Sequence, residues 1–325
     1  MRQYIIRRAI ISIITLLGVT VIMYVLVRSM PVDFVTIQTA GSLNVTDAQR
    51  EAMRQAYGLG DSIPVGYVKW IGSVLQGDLG TSFMFGRPVS EVLRQYMPIT
   101  AIVAGIALFF QLLFGIPLGI LAARKRNTRI DYTITFFVFI GISLPSFFFA
   151  AILKMIFGFH GLNWLPISGM LNPRIIYDGF TFAKFLDYTR HLILPITVFV
   201  VTYCGVFLRF TRTNMIEALN SDYVRTARAK GVPEQVVVYR HAFRNTSVTL
   251  ITLLGASLPT LFSGAFITES LFAIEGLGNI GLRAANQADI PYLMGFNLLL
   301  AFCTILGFFI ADILYAVADP RIRLS

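Results

Sequence analysis

Charge is scarce in this chain of 325 residues. Asp, Glu, Lys and Arg make up only 14% of it, against about 25% in an average soluble domain. That deficit, with a hydrophobic fraction of 56%, excludes an ordinary soluble globular protein and a disordered chain. Cysteine is almost absent. Cys204 and Cys303 both lie inside apolar runs, which excludes a disulfide scaffold and points to packing. The chain has no GxxxxGK[ST], so it holds no ATP through a P-loop, and it has no HExxH and no nucleophile elbow. Histidine occurs only at His160, His191 and His241, too dispersed in sequence to suggest one metal site.

What is abundant is long apolar sequence. About 18 uncharged apolar residues suffice to cross a hydrocarbon core roughly 30 Å thick. Six stretches qualify as spans: 9–27, 99–123, 132–157, 192–208, 248–267 and 293–317. The expected fold class is an all-α polytopic membrane protein with six transmembrane helices. The basic start Arg2, Arg7 and Arg8 resembles a signal peptide, but Tyr24 to Val27 lead to Arg28 without a small-residue cleavage site. The first span therefore reads as a retained helix.

The net charge of +10 follows from topology. With both termini inside, the inner segments 1–8, 124–131, 209–247 and 318–325 hold sixteen Lys/Arg against five acids. The outer segments 29–98, 158–191 and 268–292 without Glu269 hold nine basic and ten acidic residues. A basic excess in short inner loops is the positive-inside pattern. It gives no support to nucleic-acid binding, which needs a basic face on a water-exposed domain. The topology also puts His160 and His191 outside and His241 inside.

The outer segment 29–98 reads as a small cap. The stretch 44–57 is helical in character, with Thr46 placed to cap it, followed by turn-rich segments. Within the spans the ionisable residues are Lys154, Glu269 and Asp312. Such residues are costly in lipid and face a bundle interior or a water path. Glu269, after a fifth span broken by Gly255, Pro259 and Gly264, is the first candidate for the pathway mouth, with Lys154 second. Lys154 and Asp312 lie near span ends, where they could instead snorkel. Gly276 to Gly281 spells GxGxxG, but it follows a span on the outer side and reads as a glycine-rich turn rather than a dinucleotide site.

The inner segment 209–247 is large enough to dock a partner. From Ser221 to Pro233 it reads as a short capped helix. Ser221 suits the N-cap and Asp222 the positive end of the helix dipole. Arg228 and Lys230 suit the negative end, Gly231 the left-handed residue after it, and Pro233 follows. Tyr223 and Ala227, four apart, are expected on one shallow face suited to a partner's groove. The competing reading is a solvated amphipathic helix on the lipid surface.

These residues carry a resemblance. The stretch Asp222 to Val232, with Arg240 to Asn245, resembles the coupling (EAA) loop of ABC-importer permeases, in the form found in the dipeptide/oligopeptide/nickel family. Arg225 and Thr226 stand where the general motif has Glu and Ala. Gly77 to Leu93, Pro117 to Ala123 and Asp312 to Arg323 resemble that family's first outer loop, second span end and C-terminal signature. The resemblance implies that residues 1–325 form a single permease transmembrane domain with a methionine-importer-permease-like core. It would be the first of two different permease subunits, set in a bacterial or archaeal cytoplasmic membrane. The implied partners are a second homologous permease, two cytoplasmic ATPase subunits, an extracytoplasmic substrate-binding protein and membrane lipid. No cofactor is expected on this chain, ATP and Mg residing on the ATPase subunits. The implied coupling residues are Ser221, Asp222, Tyr223, Arg225, Ala227, Arg228 and Gly231. The implied function is non-catalytic: half of a path for di- or oligopeptides, opened by ATP-driven alternating access. Nickel complexes and glycosides are alternative cargoes in that family. A secondary transporter would favour buried carboxylates and inverted repeats, and the spans show few of the former and no sign of the latter. An intramembrane enzyme lacks a catalytic set. An ABC exporter half would have no outer binding-protein cap.

Overall fold

The computed structural model describes residues 2–40, 45–158, 161–179, 181–263 and 265–318. In chain order the helices are α1 (Arg2–Arg28), α2 (Phe34–Thr39), α3 (Asp47–Ala56), α4 (Ile63–Leu75), α5 (Val89–Arg124), α6 (Arg129–Ser143) and α7 (Ser146–Phe157). There follow α8 (Phe182–Leu219), α9 (Asp222–Ala229), α10 (Glu234–Val236), a π-helical turn (Val237–Ala242), α11 (Phe243–Ser263), α12 (Ala265–Leu271), α13 (Leu277–Asn286) and α14 (Ile290–Ala318). Among the described residues the only extended pairing is an isolated bridge between Thr81 and Pro88.

The all-helical membrane class holds, and the described residues do not confirm the count of six spans. Among the described residues four helices are long and apolar enough to cross a membrane, and five if the bent pair α6–α7 is one span. That pair meets at 99°, where the sequence suggested one straight crossing over 132–157. Pro145 explains the break: it disfavours the helical conformation for the residue before it, and Leu144 is extended, with φ −78° and ψ 123°. The fourth span also starts earlier than its apolar run. Thr181 accepts the Lys184 amide at 3.2 Å as N-cap, so α8 begins at Phe182 and carries Pro195 in its interior.

The chain divides into two compact units, Met1–Thr100 with Glu275–Ile305, and Ala101–Ile274 with Leu306–Ser325. In the first, α1 packs on α4 through the rings of Tyr24, Tyr67 and Trp70, whose centroids lie 5.6 to 6.1 Å apart. The expected cap helix is α3. Thr46 and Gln49 form a reciprocal capping box at its start, and Arg54 near its end holds Asp33, the N-cap of α2, at 2.7 Å. Phe34, Tyr57 and Phe83 close into an aromatic triangle with centroids 4.8 to 5.4 Å apart. Asp289, fully buried before α14, accepts the Ser82 hydroxyl and the backbone amides of Phe83, Met84 and Tyr292.

In the second unit α8 is the axis against which α6, α7 and α11 pack. Helix α5 crosses it closely at Gly119, where a Cβ would lie 2.8 Å from the Leu208 carbonyl oxygen, so only glycine lets the backbones approach this far. Near the other end of α6, Asp131 is buried and paired with Arg212 of α8.

Candidate functional site

The segment between α8 and α11 is built on a buried seam. Helix α9 places Val224 and Ala227, three apart, inward against Met215 and Ala218 of α8, Val237, Val238 and Ala242 of the π turn, and Ile120 and Ala123 of α5. Residues at this spacing share a face, and here that face closes on the chain's own core. The expected docking face of Tyr223 with Ala227 is therefore corrected. Ala227 is only 7% exposed and packs inward, whereas Tyr223 is 44% exposed at the rim. The open face carries Asp222, Tyr223, Arg225, Thr226, Arg228 and Ala229.

Both ends of α9 are built as caps, though not both as the residue types suggested. Ser221 has the extended N-cap backbone, φ −72° and ψ 155°, but its side chain makes no cap bond. Its hydroxyl donates instead to the Ala218 carbonyl at the end of α8. It thus closes one helix rather than opening the next, and Asp222 supplies the negative charge in the first turn of α9. At the other end Gly231 has φ +73°, a conformation that carries no Cβ penalty for glycine. Its amide donates to Arg228 at 3.0 Å and that of Val232 to Ala227 at 3.2 Å. This is the two-bond Schellman closure, and Val232 packs on the buried seam beyond it.

Arg228 then ties the two halves of the segment together. Its Nη2 lies 2.8 Å and its Nε 3.1 Å from the carboxylate oxygens of Glu234 at the start of α10. The hydrogen-bonded guanidinium holds the Glu234 carboxyl below the usual carboxylate range, and the same pairing raises Arg228. Arg225 lies 3.6 Å from Asp222 on the open face, both well exposed. Beside them the π turn buries Val237, Val238 and Ala242 and leaves Tyr239 exposed. A π turn inside a helical run often marks a functional position, and no residue pattern in the sequence announced it.

The two residues expected along a pathway lie on packed elements. Glu269, in α12, is fully buried. Lys154, on α7, donates from Nζ to the Leu271 carbonyl and lies 5.7 Å from the centre of the Phe272 ring. The Gly169 amide takes the Phe272 carbonyl at 2.7 Å, and the Ile274 amide takes that of Glu269 at 2.8 Å. Lys154 is thus one of several groups satisfying the C-terminal carbonyls of α12, where a positive charge also suits the dipole. The GxGxxG glycines open a helix instead of forming a turn: Gly276 is the N-cap of α13, and Gly278 and Gly281 are buried within it. His191 meets the Asp187 carbonyl through Nδ1 at 2.9 Å, and His241 lies in the π turn. His160, Gly264 and residues 319–323 of the C-terminal signature lie outside the described residues.

Comparison with known proteins adds to this geometry. Residues 115–324 match the family described as the binding-protein-dependent transport system inner membrane component, and residues 1–104 match its N-terminal companion. The oligopeptide transport system permease protein AppB of Bacillus subtilis is 38% identical, over 99% of this chain and 100% of its own length. The dipeptide transport system permease protein DppB of Escherichia coli K12 is 34% identical, with 99% of each chain covered. Among solved structures, the MetNI methionine ABC transporter in inward-facing conformations aligns with a TM-score of 0.55 at 17% identity, covering 71% of this chain and 97% of that one. That likeness speaks to the fold.

Proposed function

Since the chain belongs to the family of binding-protein-dependent transport system inner membrane components, we propose that it is a permease subunit of an ABC importer for di- or oligopeptides. It would form half of the translocation path together with a second, homologous permease. The observation that carries this reading is the full-length likeness to permeases named for oligopeptide and dipeptide transport. Those names favour peptides over nickel complexes or glycosides. The exposed rim of α9, held rigid from behind by Val224 and Ala227, supports a role in contacting an ATPase subunit. Asp222, Tyr223, Arg225 and Arg228 would present to the ATPase, while Ser221, Ala227 and Gly231 would hold the helix that presents them.

In this reading the chain catalyses nothing. ATP and Mg bind to two cytoplasmic ATPase subunits, and an extracytoplasmic binding protein delivers the cargo. Closure of the ATPase pair moves α9, and α8 and α11 carry the displacement into the bundle. The helix transmits only the difference in ATPase binding energy between the two states of the bundle. The chain sits in the inner membrane of a bacterium or archaeon with both termini and residues 209–247 cytoplasmic.

The test is reconstitution of the chain with its second permease, ATPase and binding-protein partners in vesicles. Binding-protein-dependent uptake of a labelled dipeptide, with ATP hydrolysis stimulated by that peptide, is expected. Uptake that persists without ATPase subunits and follows an ion gradient would refute the reading. Orientation is read separately with single cysteines at Asp47 and Arg126 in intact cells. An impermeant reagent should label position 47 and spare position 126.

A further inference from the structure

The first turns of α8 precede the apolar run 192–208, and they have two distinct faces. At about 100° per residue, Lys184, Asp187 and His191 share one side of the helix. On that side Asp187 accepts the Asn172 amide at 2.7 Å, and Lys184 Nζ donates to the Gly179 carbonyl at 3.3 Å. From its flank, Arg190 donates to the Trp164 carbonyl at 3.3 Å. The loop over 164–179 is therefore fastened to the polar side of the helix.

The opposite stripe is Phe182, Phe185, Leu186, Thr189 and Ile193. Its apolar members are exposed, Phe182 at 77%, Phe185 at 52%, Leu186 at 50% and Ile193 at 40%. Open water is an unfavourable surrounding for a contiguous stripe of this kind. Helix length indicates what covers it. The 38 residues of α8 span about 57 Å at ~1.5 Å each, more than the roughly 40–45 Å of a whole bilayer. Arg209 and Arg212 mark the cytoplasmic end of the apolar run. Some 20 residues back from Arg209, about 30 Å, the hydrocarbon core ends near Thr189. Leu186 and Phe185 then fall about 5 Å beyond it, within a headgroup layer about 5–7 Å deep, and Phe182 about 10 Å, on the water side of that layer. The stripe also runs unbroken into Ile193, an exposed residue of the apolar run.

We propose that the stripe from Phe185 to Thr189 is an interfacial anchor that lies among the phospholipid headgroups of the outer leaflet and holds the attached loop, residues 164–179, at the membrane surface. Aromatic and aliphatic side chains suit the boundary between headgroups and acyl chains. Arg190, at the edge of the stripe, is placed for a lipid phosphate. The inference rests on the proposed orientation of α8, with residues 209–247 cytoplasmic.

The test uses the assembled permease complex in vesicles of phosphatidylethanolamine and phosphatidylglycerol. Single cysteines replace Phe182, Phe185 or Leu186, each carrying an environment-sensitive fluorophore. Labels at 185 and 186 should be quenched several-fold more strongly by a headgroup-nitroxide lipid than by iodide in the outer solution. Stronger quenching by iodide would overturn the anchor. Iodide quenching that disappears only when the extracytoplasmic binding protein is added would also overturn it, assigning the stripe to a protein partner. A label at position 126 reads orientation independently. If iodide added outside reaches that label, the topology has failed, and the depth measurement is not what decided it.

Discussion

Arg212 grips Asp131 with two arms of its guanidinium, Nε to Oδ1 at 2.7 Å and Nη2 to Oδ2 at 2.8 Å. Asp131 also accepts the Asn127 amide at 3.0 Å, so one carboxylate joins the α5–α6 turn, the start of α6 and α8. Breaking a buried pair from one side leaves a charge without its partner, whereas replacing both partners by apolar groups is often neutral. Asp131→Ala should therefore destabilise the chain by about 3 kcal/mol, the lower end of the usual range because Arg212 is partly exposed. Asp131→Leu combined with Arg212→Leu should cost less than that single change. Thermal unfolding in mixed micelles reads both. If Asp131→Ala melts with the unaltered chain, the pair is not a clamp.

Ala227 and Tyr223 should separate in their effects. A tryptophan at 227 would overfill the seam beneath α9, at a cost of roughly 1–3 kcal/mol or more. Tyr223→Ala touches little of that core. The expected outcome is that Ala227→Trp lowers the stability of the chain by itself, without any ATPase present. Tyr223→Ala should leave stability unchanged and weaken retention of ATPase subunits during purification. An Ala227→Trp chain as stable as the original would return Ala227 to an open docking face.

Gly231→Val isolates the cap. A β-branched residue held at φ +73° is strained by on the order of 1–2 kcal/mol. The substitution touches no apolar span, so the chain should still insert in the membrane. Hydrogen exchange should rise across residues 222–232 and stay unchanged in α11. Unaltered exchange over α9 would show that the left-handed residue is not what closes it.

Several of these features were legible in the sequence because they rest on residue chemistry that acts locally. Gly231 is one of the few residue types at ease in the conformation that closes α9, and Thr46 is a residue type whose side chain caps a helix start. The apolar runs announced a membrane bundle by composition. Hydropathy records how apolar a stretch is, not its direction, so the bend at Pro145 was hidden inside one apolar run. Spacing put Tyr223 and Ala227 on one side of α9 but did not say which side faced inward; Val224, three before Ala227, was the available signal. The Lys154 contact with Leu271 joins residues 117 positions apart, and no local pattern encodes it.

The Arg228–Glu234 pair gives the loop a small dependence on pH. Pairing holds the folded-state pKa of Glu234 below its ordinary value, near 4.3 for a free glutamate. The stabilisation is then fully present above that value and is lost as pH falls through the lower folded-state pKa. Both side chains are roughly half exposed, so the pair is worth less than about 1 kcal/mol. The stability gap between the chain and its Glu234→Gln variant should be constant from pH 5 to 8 and should shrink as pH falls below the ordinary glutamate value of about 4.3. A gap that widens in acid would contradict the sign of the coupling.

Asp289 should prove one of the costliest single residues of its unit. Its buried carboxylate accepts the Ser82 hydroxyl, the Phe83 amide at 3.1 Å, the Met84 amide at 3.0 Å and the Tyr292 amide at 3.2 Å. It thereby fixes the turn that carries Phe83 into the aromatic triangle with Phe34 and Tyr57. Each buried donor left without an acceptor costs about 1–3 kcal/mol. Asp289→Ala strands several at once, so a loss of at least about 3 kcal/mol is expected. Ser82→Ala removes one donor to the carboxylate and the acceptor of the Phe85 amide, at 3.2 Å, but leaves the carboxylate its backbone partners, so about 2 kcal/mol is expected, less than for Asp289→Ala. Asp289→Asn should fall between them, because one amide oxygen remains an acceptor while the new N–H₂ faces donors. Denaturant unfolding of the three variants gives the order directly. Equal stability for Ser82→Ala and Asp289→Ala would mean that the backbone amides of Phe83 and Met84 find other acceptors, and that the carboxylate does not hold the turn.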